Sequence, residues 1–245
     1  MPTATFRFYQ ELNDFLPVER KKVPFAHHFI DRASIKDMIE SFGVPHTEVD
    51  LILVNGQSVD FSYIVNDNDT ISVYPMFESL DITPILKVRP KPLRETKFVL
   101  DVHLGKLTVF LRIMGFDSYY RDDLSDEELV EISVKEKRIL LTRDRNLLKR
   151  KAITHGHFVR ATNPKLQLKE ILSHFDLRRN ISPFKRCLRC NSLMNSVSKE
   201  KVLGEIPPRV QTFYDDFYQC SGCQKVYWKG SHYETMKRFI KEFLD

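Results

Sequence analysis

The chain of 245 residues lacks several features, and each absence narrows what it does. No stretch approaches the roughly 20 apolar residues that a bilayer-spanning helix needs. The start, Met1-Pro2-Thr3-Ala4-Thr5-Phe6-Arg7, has neither the basic segment nor the apolar run of a secretion signal. A cytoplasmic location and no membrane partner are therefore expected. Only four cysteines occur, all in two CxxC pairs late in the chain, an arrangement that in a reducing compartment favours a metal over disulfides.

Charge is present but unevenly spread. Formal net charge is +5, yet residues 1–80 carry 6 Lys and Arg against 12 Asp and Glu, while the remainder carries 32 against 21. The basic two-thirds would attract polyanions, RNA or DNA above all, and the acidic third would not. A solvated surface of mixed sign fits the same counts. With 42% hydrophobic and 29% charged residues, the chain can bury ordinary cores in two or three compact units.

Residues 1–80 read as a small sheet with one helix. Thr5–Tyr9, Leu51–Val54 and Ile71–Tyr74 have strand character. Ile35, Met38, Ile39 and Phe42 recur at helical spacing, with Gly43 ending the helix. Asn55-Gly56 signals a type I′ hairpin, because both central residues of that turn need positive φ. The order is that of a ubiquitin-like β-grasp domain. The run Val54-Asn55-Gly56, then Val59-Asp60-Phe61, then Asp69 to Pro75 resembles the ubiquitin-like sulfur carriers of thiamine and molybdopterin synthesis. Those carriers act through a terminal diglycine, whereas here the chain runs on through Pro75-Met76-Phe77-Glu78. A protein-contact accessory role is expected instead of sulfur transfer.

Residues 81–96, with Pro84, Pro90 and Pro92 among basic side chains, read as a semi-rigid linker. Residues 97–180 then alternate strand and helix four times, which implies an α/β domain with a parallel sheet flanked by helices. Strands are expected at Phe98–Leu100, Phe116–Tyr120, Ile139–Thr142 and His157–Ala161. Leu104, Leu107, Leu111 and Met114 define one helix, stopped by Gly115; Ser125 and Glu128 form a capping box for the next. A short helix follows at Leu147–Arg150, and Asn163 with Pro164 starts the last one.

Residues 181–245 hold Cys187-x-x-Cys190 and Cys220-x-x-Cys223, separated by 29 residues. Two such knuckles suit a tetrahedral, structural Zn site with no open coordination position. A final helix carries Met236, Phe239, Ile240 and Phe243 on one face, with Ser231 and Glu234 as a second capping box.

The acids of the α/β domain suggest chemistry. Asp101 ends the first strand, Asp122 and Asp123 follow the second, Asp126 and Glu127 open a helix, and Asp144 follows the third strand. Parallel topology gathers strand ends at one edge, and carboxylates gathered there can hold Mg or Mn for phosphodiester hydrolysis. Lys106, Arg112, Arg143 and Arg145 accompany them as candidate phosphate contacts. Each acid has an ordinary alternative as a helix cap or first-turn residue, and each cation as a local ion pair.

The segments Lys97-Phe98-Val99-Leu100-Asp101, Leu104-Gly105-Lys106-Leu107, Leu111-Arg112, Gly115-Phe116-Asp117, Ser125 to Leu129 and Arg138 to Asp144 closely resemble the PIN-like RNase domain named for the C-terminus of the Mut-seven exonuclease. The resemblance runs from Lys97 to the end of the chain, because the family also carries the two knuckles, and its bacterial members often have the ubiquitin-like domain in front. It implies a PIN-like α/β fold, a zinc ribbon and an RNA-directed or ribonuclease role on single-stranded RNA. Carried over by residue, it implies Asp101, Asp126 and Asp144 as the acids and Lys106, Arg112 and Arg143 as the cations; Glu127 or Asp122 is expected to assist in metal ligation. After the fourth strand this chain has Thr162-Asn163 in place of a carboxylate. Three acids would hold one metal rather than two, and the alternative is a non-catalytic RNA-binding module that uses the basic PIN-like and zinc-ribbon surface, with the β-grasp domain as a protein-contact accessory.

Overall fold

Short polar residues stand just ahead of the apolar helical repeats, and in the computed structural model, which describes residues 1–75, 87–88 and 95–244, most of them cap as expected. In chain order the elements are β1 (Thr3–Phe8), β2 (Phe25–His28), α1 (Ile35–Ser41), β3 (Leu51–Val54), β4 (Gln57–Val59), β5 (Thr70–Tyr74), β6 (Lys97–Leu100), α2 (Gly105–Ile113), β7 (Asp117–Tyr119), α3 (Asp126–Glu136), β8 (Ile139–Thr142), α4 (Arg145–Leu148), β9 (Gly156–Phe158) and α5 (Pro164–His174). There follow β10 (Met194–Val197), α6 (Lys199–Val202), α7 (Pro208–Phe213), β11 (Phe217–Cys220), β12 (Val226–Trp228) and α8 (Ser231–Leu244). Most of the linker expected over 81–96, and the Met76-Phe77-Glu78 run before it, lie outside the described residues. The chain divides into two compact units, Met1–Arg94 with Ser125–Phe158, and Glu95–Leu124 with Val159–Asp245.

In the first unit β1 to β5 form a mixed sheet in the order β2-β1-β5-β3-β4. Its two central strands, β1 and β5, run parallel, with Phe6 opposite Ile71, and the remaining pairings are antiparallel. Strand alternation sends Phe6, Phe8, Ile71 and Val73 into one core with Ile35, Met38 and Ile39 of α1. Ser34 starts that helix by accepting the Asp37 N–H at 3.2 Å. Asn55 and Gly56 have φ of 50° and 82° between the paired Val54 and Gln57, which is the two-residue turn expected. This is the β-grasp plan.

The same unit contains β8 paired in parallel with β9. All four residues of β8 are buried, and both arms of the α3 capping box form, Glu128 N–H to Ser125 Oγ at 3.2 Å and Ser125 N–H to Glu128 Oε2 at 2.9 Å. The β-grasp residues meet this pair through polar groups. The Phe158 N–H donates to buried Glu48 at 2.6 Å, and His46 reaches both Glu40 Oε1 at 2.6 Å and the Ile153 carbonyl at 2.8 Å.

In the second unit β6 pairs in parallel with β7, and α2 and α5 bury Leu107, Leu111, Leu168, Ile171 and Leu172. Parallel strands with helices on them are what a PIN-like α/β domain requires. The antiparallel sheet β10-β11-β12 closes the unit around Val202, Ile206, Phe217 and Val226.

Three local expectations shift. The fourth strand ends at Phe158, not Ala161, because the Arg160 and Ala161 N–H groups donate to the Glu170 carboxylate at 2.9 and 3.0 Å instead of entering a ladder. Helix α4 opens at Arg145, two residues early, because Asp144 caps it. The Glu234 N–H donates to the Gly230 carbonyl at 3.2 Å, so α8 takes its first turn from Gly230 and Ser231 lies inside it.

Gly115 ends α2 at φ 95°, and a Cβ there would lie 2.0 Å from the Ser182 carbonyl oxygen. The Ser182 N–H donates to the Met114 carbonyl at 2.9 Å, so neither segment can yield without losing that bond. Gly115→Ala is expected to lower unfolding stability by about 3 kcal/mol, read from the denaturant midpoint. A loss below about 1 kcal/mol would show that the backbone there relaxes freely.

Candidate functional site

A strand that hands over to a helix leaves backbone N–H groups in need of an acceptor, and after β6, β8 and β9 this chain supplies Asp or Asn. Asp101, buried after β6, accepts the His103 N–H at 3.2 Å. Asp144, exposed after β8, accepts the Asn146 N–H at 2.7 Å through Oδ1. Asn163 does the same for α5, accepting from Lys165 at 2.9 Å and Leu166 at 3.4 Å. The expected acids are thus divided between the units, with Asp101 and Asp122 in the second and Asp126, Glu127 and Asp144 in the first.

Around Asp101 the LGKL segment has a visible constraint. The Tyr120 hydroxyl donates to the Val102 carbonyl at 3.0 Å, and a Cβ on Gly105 would meet that hydroxyl oxygen at 2.8 Å. Burial first, then the charges of Asp122 and Asp101, push the Tyr120 hydroxyl pKa up. In the first unit Arg150 lies 3.1 Å from Glu127 and 3.9 Å from Asp126. The backbone N–H at the start of α3, then Arg150, hold Glu127 below its ordinary range.

The cations separate into different roles. Lys106 is exposed and Arg143 half-buried. Arg145 lies over the rings of Phe15 and Phe158, 5.0 and 5.4 Å from their centroids, where it covers packing within the first unit. Arg112 corrects its expected place among the phosphate contacts. It is 4% exposed, its Nε and Nη2 donate to the Ser118 carbonyl at 3.0 and 2.8 Å, and Nη1 donates to the Leu188 and Arg189 carbonyls at 3.0 and 3.1 Å. Its fork ties β7 to the first cysteine knuckle and is turned away from any polyanion.

Asn191 completes this tie. Its side chain accepts the Ser118 N–H at 2.9 Å and donates to Asp117 at 2.8 Å, while Arg186 pairs with Asp117 at 3.2 Å. Beside it the sulfurs of Cys187, Cys190, Cys220 and Cys223 lie within 4.8 Å of one another, a set that could hold a metal such as zinc. The pairs Cys190–Cys220 at 3.2 Å and Cys187–Cys223 at 3.6 Å approach the roughly 3.8 Å edge of a tetrahedron with Zn–S bonds of about 2.3 Å. Burial pushes the Cys220 thiol up to about 12. Burial also opposes ionisation of Cys190, but hydrogen bonds from Ser192 and the neighbouring thiols outweigh it and bring that thiol down to about 6. Gly222 allows the second knuckle to close, since a Cβ there would lie 2.3 Å from Ser192 Oγ.

Residues 96–240 match the family model described as the Mut7-C RNAse domain. The chain belongs to that family. Residues 1–81 match a second model, Mut7-C ubiquitin, in agreement with the β-grasp sheet. No curated protein and no solved structure gives a match. No helix among the described residues of this Mut7-C chain is long and apolar enough to cross a membrane. Sequence reasoning missed Asn191, Gly222 and Tyr227, whose hydroxyl lies 3.2 Å from Cys187 Sγ. Their nearness to the CxxC pairs was the available signal.

Two outcomes follow for the ribbon. Zinc titration should saturate at one ion per chain, with proton release and with affinity falling as pH drops from about 8 to about 5, since protons compete for the thiolates. Arg112→Met should cost about 2 to 3 kcal/mol in unfolding stability, because it strands the buried Ser118 carbonyl and removes two part-buried bonds to the Leu188 and Arg189 carbonyls. A midpoint equal to wild type would contradict the structural role of Arg112.

Proposed function

We propose that this Mut7-C chain binds single-stranded RNA and cleaves it as a Mg²⁺- or Mn²⁺-dependent endoribonuclease. The observation that carries this reading is the match of residues 96–240 to an RNAse family model, in a chain whose β6 and β8 each end in an aspartate. Asp101, Asp126 and Asp144 are the proposed metal ligands, with Glu127 and Asp122 assisting. A divalent ion held there would lower the pKa of an attacking water and stabilise the leaving oxygen. Lys106 and Arg143 are the proposed phosphate contacts, with Arg145 at the margin.

Capping alone does not account for the carboxylates. Asn163 caps α5 with a neutral side chain, and Asn is as good an N-cap as Asp. A negative charge at 144 exceeds what the start of α4 needs. The Asp144 Oδ2 has no partner among the described residues, which leaves a lone pair for an ion. The cysteine centre is proposed as structural zinc, because four protein thiolates fill its coordination. The β-grasp domain is proposed as the contact for a protein partner.

The second reading, an RNA-binding module without cleavage, draws on the same Asn163, which stands where a further acid would complete a two-metal set. Asp144→Asn separates the two. It keeps the cap, so stability should stay within about 0.5 kcal/mol of wild type. Cleavage of single-stranded RNA with Mn²⁺ should fall by about 100-fold or more while RNA affinity holds. Undiminished cleavage in this variant would trace the activity to a contaminant, and absence of cleavage in the wild type would leave the binding module.

A further inference from the structure

The four-cysteine ribbon carries a cleft that none of the proposed acids lines. It has a volume of about 1010 Å³, lies between α7, β12 and the start of α8, and is lined by Tyr214, Trp228 and Tyr233 together with Arg209, Lys225 and His232. A second hollow of about 440 Å³ shares Trp228 and Tyr233 and adds Lys185, while its Lys229 is paired with Asp216 at 2.7 Å. Neither is lined by an aspartate or glutamate. Aromatic faces between cations, with no acid among them, complement a flexible polyanion whose units are planar rings.

Three details favour a ligand over internal packing. Trp228 is half-buried, packing against the ribbon core on one side while it lines the cleft, and its indole N–H has no hydrogen-bond partner among the described residues. The hydroxyls of Tyr214 and Tyr233 are likewise unpaired among the described residues. Arg209 makes no ion pair there, and Lys225 lies over the Tyr227 ring at 5.5 Å with no carboxylate beside it. Gly230 keeps the floor open, since a Cβ there would lie 2.9 Å from Trp228 Nε1 and 3.6 Å from the Tyr214 hydroxyl.

We infer that this cleft binds an unpaired segment of RNA, stacking its bases on Trp228 and the flanking tyrosines and pairing its phosphates with Arg209 and Lys225. The inference rests on the RNA-directed reading above and adds to it a holding site outside the proposed acidic edge. The volume suits a few nucleotides, since drug-sized ligands fill roughly 300 to 1,000 Å³.

Trp228 is the only tryptophan of the chain, so its emission reports on the cleft alone. A labelled single-stranded oligouridylate is titrated into the full chain, and label anisotropy and Trp228 emission are followed together. The expected result is parallel saturation of both signals, with Trp228 quenched and with a matched RNA duplex giving no quenching. Arg209→Ala combined with Lys225→Ala, both exposed positions, should weaken binding and flatten the slope of log affinity against log salt by about 1.4, at about 0.7 per phosphate contact. Anisotropy that saturates with unchanged Trp228 emission overturns the cleft but leaves the RNA reading standing. No anisotropy change at all overturns both. Quenching by an uncharged apolar peptide but not by oligouridylate would assign the cleft to a protein partner and overturn the inference.

Discussion

Every parallel strand in this chain that turns into a helix must satisfy backbone N–H groups within two or three residues, and a short side-chain acceptor is the means. Asp101, Asp144 and Asn163 all answer that one requirement, so the acidic character of the strand ends begins as local backbone chemistry. Function enters as the difference between them. A neutral amide suffices after β9, whereas a carboxylate stands after β6 and β8. The carboxylate at 144 is what the proposed metal site would use, on a residue that the start of α4 requires anyway.

The ribbon is joined to the α/β strands by polar groups as well as by apolar packing. Arg112 donates to carbonyls on both β7 and the first knuckle, and its guanidinium, lowered by burial, is supported by the thiolate charges of Cys187 and Cys190. A zinc ion bound by four thiolates leaves a net negative site, so a buried cation beside it is electrostatically apt. An arginine that reads in the sequence as a phosphate contact is thereby explained as an internal counter-charge. It also keeps the ribbon, with its aromatic cleft, attached to the edge strand of its own unit.

Local rules made much of this architecture legible. The Asn55-Gly56 hairpin, the Ser125–Glu128 capping box, the Asn163-Pro164 helix start and the CxxC pairs all depend on a few adjacent residues, and they appear as expected. What escaped depends on partners distant in sequence. Nothing near Arg112 announces acceptors at Leu188 and Arg189, and the Glu170 carboxylate that ends β9 lies nine or ten residues beyond the N–H groups it takes. Ser231 was an attractive cap by type, but the crowding of Gly230 against Trp228 admits no side chain at the residue that opens α8. The aromatic cleft is assembled from α7, β12 and the start of α8, which no local pattern joins.

The central proposal is that an aspartate capping a helix at a strand end also holds a divalent ion. Crystals of the full chain soaked in Mn²⁺ test it directly by anomalous scattering. The account predicts a manganese peak within about 2.2 Å of an Asp144 carboxylate oxygen, lost in an Asp144→Asn crystal whose α4 start is unchanged. A manganese-soaked crystal with no peak at that carboxylate would contradict it.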